Sequence, residues 1–437
     1  MRIILLTPGT GSYHCGVCMR DNALAKELIR QGHDAMLLPM YLPLTLDESP
    51  ANPDAPVFFG GVGVYLQQKF SLFRHTPRWL DRLLNARPLL KFAGRFSAMT
   101  ATAEVGDITH SMLLGEHGHQ AREVETLIAW LRAHGKPDAV WLSTALLIGL
   151  ARRIKEALGV PVLASLQGED SFLDGLPEPS RTQCWKTLAE RARDVDALIA
   201  PSRYYAELIG ARLRLAPEKM RVIPNGIAAA DFIARTALPD PPVIGYLARF
   251  SKGKGLGLVV NAFIALKRCG RFPKVQLRCA GTMTAGDAPY LTRQRRKLMD
   301  AGFAGDAEFL PNVSREEKVG FLRGLTLMSV PAMYGEAFGL YLIEAMAAGV
   351  PLVQPDTAAF PEILAASGAG TLHAPRSATA LAEAWEVLLH DPAALHTFGQ
   401  RGRAAVEGEF SLARMAERFI AATRETACAL ARPPADD

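Results

Sequence analysis

The chain has 437 residues, 49% apolar and 21% charged, which supplies two or three packed cores and excludes a disordered, collagen-like or low-complexity polymer. No apolar run reaches the roughly 18 residues that would span a bilayer, and Ile3–Leu6 after Met1-Arg2 is too short for a secretory signal. Six cysteines give no disulfide framework and fit a reducing, cytoplasmic setting.

The net charge of +5 is local. Between Leu66 and Phe96 lie Lys69, Arg74, Arg78, Arg82, Arg87, Lys91 and Arg95, opposed by Asp81 alone, so the rest of the chain is close to neutral. Large apolar residues such as Phe70, Phe73, Trp79, Leu83 and Phe92 alternate with these cations at spacings of three and four, the pattern of short amphipathic helices. Such a stretch is either a solvated face over a core stripe or a contact surface for an anionic membrane or lipid-linked acceptor. A local excess of this kind argues against a general nucleic-acid binder.

In chain order, Ile3–Leu6 reads as a buried strand, Pro8–Gly16 as a glycine-bearing loop, and Met19–Arg30 as a helix with Leu24, Leu28 and Ile29 on one face, stopped at Gly32. Strands follow at Ala35–Leu38, Ala139–Leu142, Pro161–Ser165 and Ala197–Ala200, with helices at Glu123–Ala133 and Arg181–Arg193. The prolines of Thr236–Pro242 read as a linker. Beyond it the scheme repeats, with strands at Val243–Leu247, Val275–Ala280, Glu308–Leu310, Thr326–Val330 and Pro351–Val353. Helices are expected at Gly255–Lys267, Ala288–Ala301, Arg315–Leu322 and Gly339–Ala348. Residues 375–430 are helical in pattern and the polar tail 432–437 frays. Strands alternating with helices predict an α/β protein of two doubly wound parallel sheets, with ligands outside the carboxyl ends of strands. The expected division is 1–238, then 239–415, then a helix 416–437 packing back toward the first domain.

The strongest motif runs from Pro331 to Gly349. A strand ends near Val330, Glu336 lies in the turn, and Glu344 lies one to two turns inside the following helix. The amides of Phe338, Gly339 and Leu340 open that helix and can bind phosphate, while the two carboxylates can accept hydroxyls of a ribose and a sugar. After Val243–Leu247, Arg249 and Lys254 flank a glycine turn, where two cations can neutralise a departing diphosphate without a metal. Gly9-Thr10-Gly11 is a weak dinucleotide fingerprint and reads better as a loop that closes on a ligand.

Taken together, Glu336-x7-Glu344, Arg249 with Lys254, the loop Ile223-Pro224-Asn225-Gly226-Ile227 and the first glycine loop resemble the retaining glycosyltransferases of family 4. The resemblance covers essentially the whole chain, most specifically Val222–Pro355. It implies the GT-B fold, two Rossmann-like domains with a cleft between them. It also implies transfer of a sugar from a nucleotide-diphosphate sugar, a UDP-sugar foremost, to a glycan, lipid or small molecule with retention and without a metal or other cofactor. Arg249 and Lys254 would hold the diphosphate, Glu344 the ribose, Glu336 the sugar, and Gly16 would match the family's N-terminal glycine loop. Two departures stand out. Gly16 is flanked by Cys15 and Val17 rather than by glycine, and Gln167-Gly168-Glu169-Asp170 stands where many members have His-Gly. Gln167 and Asp170 are then the expected sugar or acceptor contacts, although Gln167 cannot become cationic.

Cys15 and Cys18 beside His14, with Glu116, His117 and His119, are a weak zinc or redox signal, and loop thiols are the simpler reading. Cys184, Cys269, Cys279 and Cys428, with Trp141, Trp185 and Trp385, read as core residues. A nucleotide-sugar epimerase or hydrolase would need a catalytic base or carboxylate pair that is not evident. A non-catalytic sugar-nucleotide binder would be expected to lack Glu336, Arg249 or Lys254. The expected location is cytoplasmic, with a peripheral contact at the inner membrane face through 66–96.

Overall fold

The computed structural model describes residues 1–9, 16–46, 48–59 and 102–431. The basic segment 66–96, His14 and Cys15, most of the first glycine loop and the tail 432–437 lie outside the described residues. The chain forms two compact units, one from Met1–Pro224 and the chain from Met415 onward, the other from Asn225–Arg414.

The first unit carries a parallel sheet of β1 (Arg2–Thr7), β2 (Asp34–Pro39), β3 (Ala139–Leu142), β4 (Val162–Ser165), β5 (Ala197–Ala200) and β6 (Met220–Val222), in the order β2-β1-β3-β4-β5-β6. Ile4 pairs with Met36 on one side and Val140 on the other. β3, β4 and β5 are buried along their whole length, as strands covered on both faces must be, which is why β3 and β5 are unbroken apolar runs and β4 is apolar up to its last residue, Ser165. Helix Leu412–Ala431 packs into this unit: Phe419 stacks on Trp141 with centroids 4.0 Å apart, and Trp141 Nε1 donates to Thr423 Oγ1 at 3.0 Å.

The second unit has β7 (Val243–Leu247), β8 (Gln276–Gly281), β9 (Ala307–Pro311), β10 (Leu327–Met328), β11 (Leu352–Pro355) and β12 (Gly370–His373) in the order β12-β11-β10-β7-β8-β9. All its strands run parallel, and the strand order reverses at β7, which has β8 on one side and β10 on the other. Residues before β7 pack into the same unit. Arg235 donates to the carbonyls of Leu325 and Thr326 at 2.8 Å, and burial pushes its guanidinium down to about 10.

Several expectations need correction. β10 is two residues rather than five, because the N–H of Val330 is taken at 3.1 Å by the Gln354 side chain instead of a neighbouring strand. The edge strands β6 and β12 were not anticipated: one is three residues around a charged Arg221 and the other starts at glycine, so neither shows a strand pattern. Ile29 is exposed, off the buried face of Leu24 and Leu28. Cys269 and Cys428 are exposed rather than core. Trp185 is not a core residue; its ring lies under the Arg212 guanidinium at 3.6 Å, and its indole N–H donates to Asp174 at 2.9 Å. Cys18 is not a loop thiol but a buried residue of helix Gly16–Arg30, 3.8 Å from Thr7 Oγ1.

Candidate functional site

The loops that follow β7 and β10 meet because those strands are neighbours at the switch point of the sheet, where doubly wound folds leave a crevice. The approach is backbone to backbone. Met333 N–H donates to Gly253 O at 2.8 Å. Gly255 has φ +79°, and a Cβ there would lie 2.0 Å from the carbonyl oxygen of Pro331, so only glycine fits.

This junction joins Lys254 to Glu336. Lys254 Nζ lies 2.5 Å from Glu336 Oε2, with the two side chains 21% and 11% exposed. Tyr341 donates to the same Oε2 at 2.9 Å. Lys254 Nζ also sits over the Tyr334 ring at 5.0 Å and the Tyr341 ring at 5.4 Å. Burial alone would pull the lysine pKa down, but the charge of Glu336 and contact with Tyr334 outweigh it and hold it above the ordinary value. The ammonium therefore stays charged at neutral pH.

Arg249 lies on the other side of β7. Its Nε donates to Asp287 Oδ2 at 3.1 Å and its guanidinium reaches Thr284 Oγ1 at 3.4 Å; the side chain is half exposed. Burial would raise the Asp287 carboxyl, but the Thr284 amide and hydroxyl and the Arg249 charge keep it below the usual range. The two cations thus straddle β7, each tied to one carboxylate.

Glu344 is placed apart from Glu336. It lies in helix Leu340–Ala347 and takes an ion pair from Lys318 Nζ at 2.7 Å, both side chains 16% exposed. Gly339, at φ +85°, turns the chain into that helix. The amides of Phe338, Gly339 and Leu340 meet no acceptor among the described residues, whereas the Phe338 ring is buried edge-on against Phe410, centroids 6.0 Å apart. The Phe338 ring is thus taken up by packing.

In the first unit, Gly16 is the exposed first residue of helix Gly16–Arg30. Gln167 and Asp170 follow β4 and are half-buried. Between them the buried Glu169 accepts from Thr144 Oγ1 at 2.7 Å, Ala145 N–H at 3.0 Å, Gln167 N–H at 2.7 Å and Tyr205 OH at 3.3 Å. Tyr205 also donates to Asp170 Oδ1 at 2.8 Å. Burial and the two carboxylates push its phenol far above its ordinary value, so it stays a donor. Nearby, at the ends of β1 and β3, Arg20 and Asp21 form a wholly buried pair that reaches Ser143 O.

Sequence reasoning singled out the charged residues but missed Tyr341, Tyr334, Lys318, Asp287, Glu169 and Tyr205, which hold them. A capping pattern, Thr284 with Asp287 three residues on, was visible ahead of helix Ala288–Asp300 and could have marked one of them. Tyr334, Tyr341 and Glu169 lie within a few positions of those residues but carry no local pattern, while Lys318 and Tyr205 are too far away in sequence to signal. Among the described residues, no cluster of three or more His, Cys, Asp or Glu could hold a metal ion.

The geometry defines a doubly wound unit whose switch point presents a cation–carboxylate pair beside free amides at a helix start. Two family profiles match: Glycosyltransferase Family 4 over residues 22–231 and Glycosyl transferases group 1 over residues 230–405. Between them they take in nearly the whole chain, which belongs to this glycosyltransferase family. Among curated relatives, the phosphatidyl-myo-inositol mannosyltransferase of Mycolicibacterium smegmatis is 33% identical over 39% of this chain and 42% of its own length. The lipopolysaccharide core biosynthesis mannosyltransferase LpcC of Rhizobium leguminosarum is 30% identical over 43% of this chain and 52% of its own. The chain thus spans about half the length of the curated relatives it matches. The fold is that of sucrose-phosphate synthase from Thermosynechococcus elongatus, at TM-score 0.70 and 19% identity over 98% of this chain and all of the other. It is also that of Anabaena HepE solved with UDP, at TM-score 0.66 and 14% identity over 97% of this chain and all of the other. This is the GT-B architecture, two Rossmann-like domains.

Proposed function

We propose that the chain is a metal-independent, retaining hexosyltransferase that moves a sugar from a nucleotide-diphosphate sugar, a UDP-sugar foremost, to a glycan, lipid or small-molecule acceptor. The observation that carries this reading is the Lys254–Glu336 pair at the switch point, next to the unbonded amides of Phe338, Gly339 and Leu340. The names of both reported relatives support sugar transfer and specify mannosyl transfer. Solved structures of HepE contain UDP and UDP-glucose, which supports that donor class.

In this reading Lys254, Arg249 and the three amides hold the diphosphate. Glu344 accepts the ribose hydroxyls and Glu336 the hydroxyls of the sugar. Gly16 joins in donor binding, and Gln167 and Asp170 contact sugar or acceptor. The bond from the anomeric carbon to the leaving phosphate breaks, the acceptor oxygen bonds to that carbon on the same face, and the acceptor's proton passes to the departing phosphate. No protein nucleophile is required, so catalysis is positioning and stabilisation of the leaving group. The basic segment 66–96 supplies a peripheral contact with an anionic membrane when the acceptor is lipid-linked.

The test is a calorimetric panel of UDP, GDP, ADP and their hexose conjugates, followed by product analysis of the anomeric configuration. Binding of one nucleotide series, lost in Lys254→Ala, supports the reading. Absence of binding across the panel at millimolar ligand, or an inverted product, overturns it.

A further inference from the structure

Among the described residues two side chains donate to Glu336, and both use one oxygen. Lys254 Nζ and Tyr341 OH lie 2.5 and 2.9 Å from Oε2, while Oε1 accepts from no described group. The two donors differ in kind. A lysine ammonium is a mobile point charge with three rotatable protons on a four-carbon stem, so by itself it neutralises a carboxylate without fixing its plane. A phenol on a buried ring offers one proton in one direction. The Tyr341 side chain is boxed in: the residue is 8% exposed, Lys254 Nζ stands 5.4 Å from the ring centroid, and a Cβ on Gly339 would lie 3.1 Å from its Cζ.

We propose that Tyr341 is a positioning residue that pins Oε2 of Glu336 and so leaves Oε1 as the acceptor for hydroxyls of the bound sugar. The inference rests on the reading of Glu336 as the sugar contact and goes beyond it by naming what orients that carboxylate. Burial and the charge of Glu336 hold the phenol well above its ordinary pKa, so Tyr341 remains a donor throughout the working pH range. Its partner is a loop residue just ahead of the helix that carries Tyr341, so the hydrogen bond ties the turn to the rigid element behind it. The role concerns the sugar half of the donor alone. Of the groups the diphosphate would use, only Lys254 touches this pair, and Tyr341→Phe keeps both its contact with Glu336 and the ring beneath it.

The experiment compares wild type, Tyr341→Phe, Glu336→Gln and the double variant by calorimetry with UDP and UDP-glucose, and with GDP and GDP-mannose. Thermal midpoints serve as the control for folding. The expected result is that Tyr341→Phe binds the free diphosphates as wild type does and loses about tenfold or more in affinity for the nucleotide-hexose. Glu336→Gln shows the same split, and the double variant is no weaker than Glu336→Gln. Equal loss of diphosphate and nucleotide-hexose, or a lowered midpoint in Tyr341→Phe, would make the ring a packing element and overturn the proposal. So would additive losses, or a Tyr341→Phe protein that matches wild type while Glu336→Gln does not; the sugar-contact reading would survive both. If Glu336→Gln leaves the sugar's contribution unchanged, that reading itself fails and the role of Tyr341 fails with it.

Discussion

Lys254 and Glu336 are 82 positions apart and meet at 2.5 Å because β7 and β10 are adjacent in the second sheet. The pair is largely shielded, so each member is the counter-charge that makes the other's burial tolerable. This reciprocity gives the site its character and sets what a substitution at either residue does.

Lys254→Ala removes the cation and leaves Glu336 with Tyr341 as its described donor. The expected outcome is diphosphate binding weaker by about 10- to 100-fold, since a charge-assisted contact is worth about 1.5–3 kcal/mol. A lower thermal midpoint should accompany it, partly restored in Lys254→Ala/Glu336→Gln, where the stranded carboxylate becomes neutral. Calorimetry and thermal denaturation read both. Unchanged diphosphate affinity would remove Lys254 from the site.

Glu344 and Lys318 form a separate pair, so they should behave differently from Glu336. Glu344→Ala is expected to raise the donor KM with kcat little changed, because a ribose contact is similar in ground and transition states. Lys318→Ala should do the same to a smaller degree, about two- to fivefold for a partly exposed pair. Glu336→Ala should lower kcat as well as weaken binding of the nucleotide-hexose, whereas Glu344→Ala leaves kcat little changed. A reversal of these patterns would exchange the two assignments.

Gly255→Ala introduces both a left-handed strain and an overlap with the Pro331 carbonyl. Strain and overpacking together predict a loss of about 2–4 kcal/mol, seen as a lower denaturation midpoint of the second unit. Gly305→Ala, with no heavy atom within 4 Å of the added carbon and no positive φ, should be near neutral. Equal midpoints for the two variants would contradict the close approach of the loops.

His373 should make stability depend on pH in the near-neutral range. Burial lowers its pKa from 6.5, and its Nε2 is buried without a partner while Nδ1 lies 2.8 Å from Ala374 O. A proton therefore binds the unfolded chain first. The contribution is complete above pH 6.5 and is lost as pH falls toward and through the lower folded value. His33 is shifted the same way, so the measurement is a difference: wild type minus His373→Phe, by thermal denaturation from pH 8 to 5. Wild type should lose more stability over that range, and parallel curves would refute the assignment.

The basic segment 66–96 should bind anionic vesicles in proportion to its charge, at about 1 kcal/mol per cation near the surface. Co-sedimentation with neutral and phosphatidylserine-containing liposomes, at low and moderate salt, should show binding to the anionic vesicles that salt weakens. Changing Arg74, Arg78 and Arg82 to Gln should abolish most of it. Binding that is absent, or insensitive to salt and to the substitutions, would assign the segment to an ordinary solvated face.

Much of the fold was legible in the sequence. Ala139–Leu142, Ala197–Ala200 and Val243–Leu247 emerged with the boundaries read from their apolar runs, because strands buried on both faces are dominated by apolar residues. Edge strands β6 and β12 escaped, since an edge tolerates Arg221 and Gly370 and erases the signal. Trp185 misled for a related reason: a large ring can be covered by a guanidinium at the surface as well as by a core.

The sequence by itself determined the α/β alternation, the two-sheet organisation and the positions of Arg249, Lys254, Glu336 and Glu344 at or near strand ends, because periodicity and turn chemistry are local properties. Only the tertiary structure decided the partnerships. Arg249 pairs with Asp287, Lys254 with Glu336, Glu344 with Lys318, and Tyr341 shares the oxygen that Lys254 holds. Three of those four contacts span 26 or more positions and depend on strand order, which no local pattern encodes; Tyr341, only five positions from Glu336, lay within an apolar helical run, where a tyrosine looks like packing until its hydroxyl is seen to meet a carboxylate.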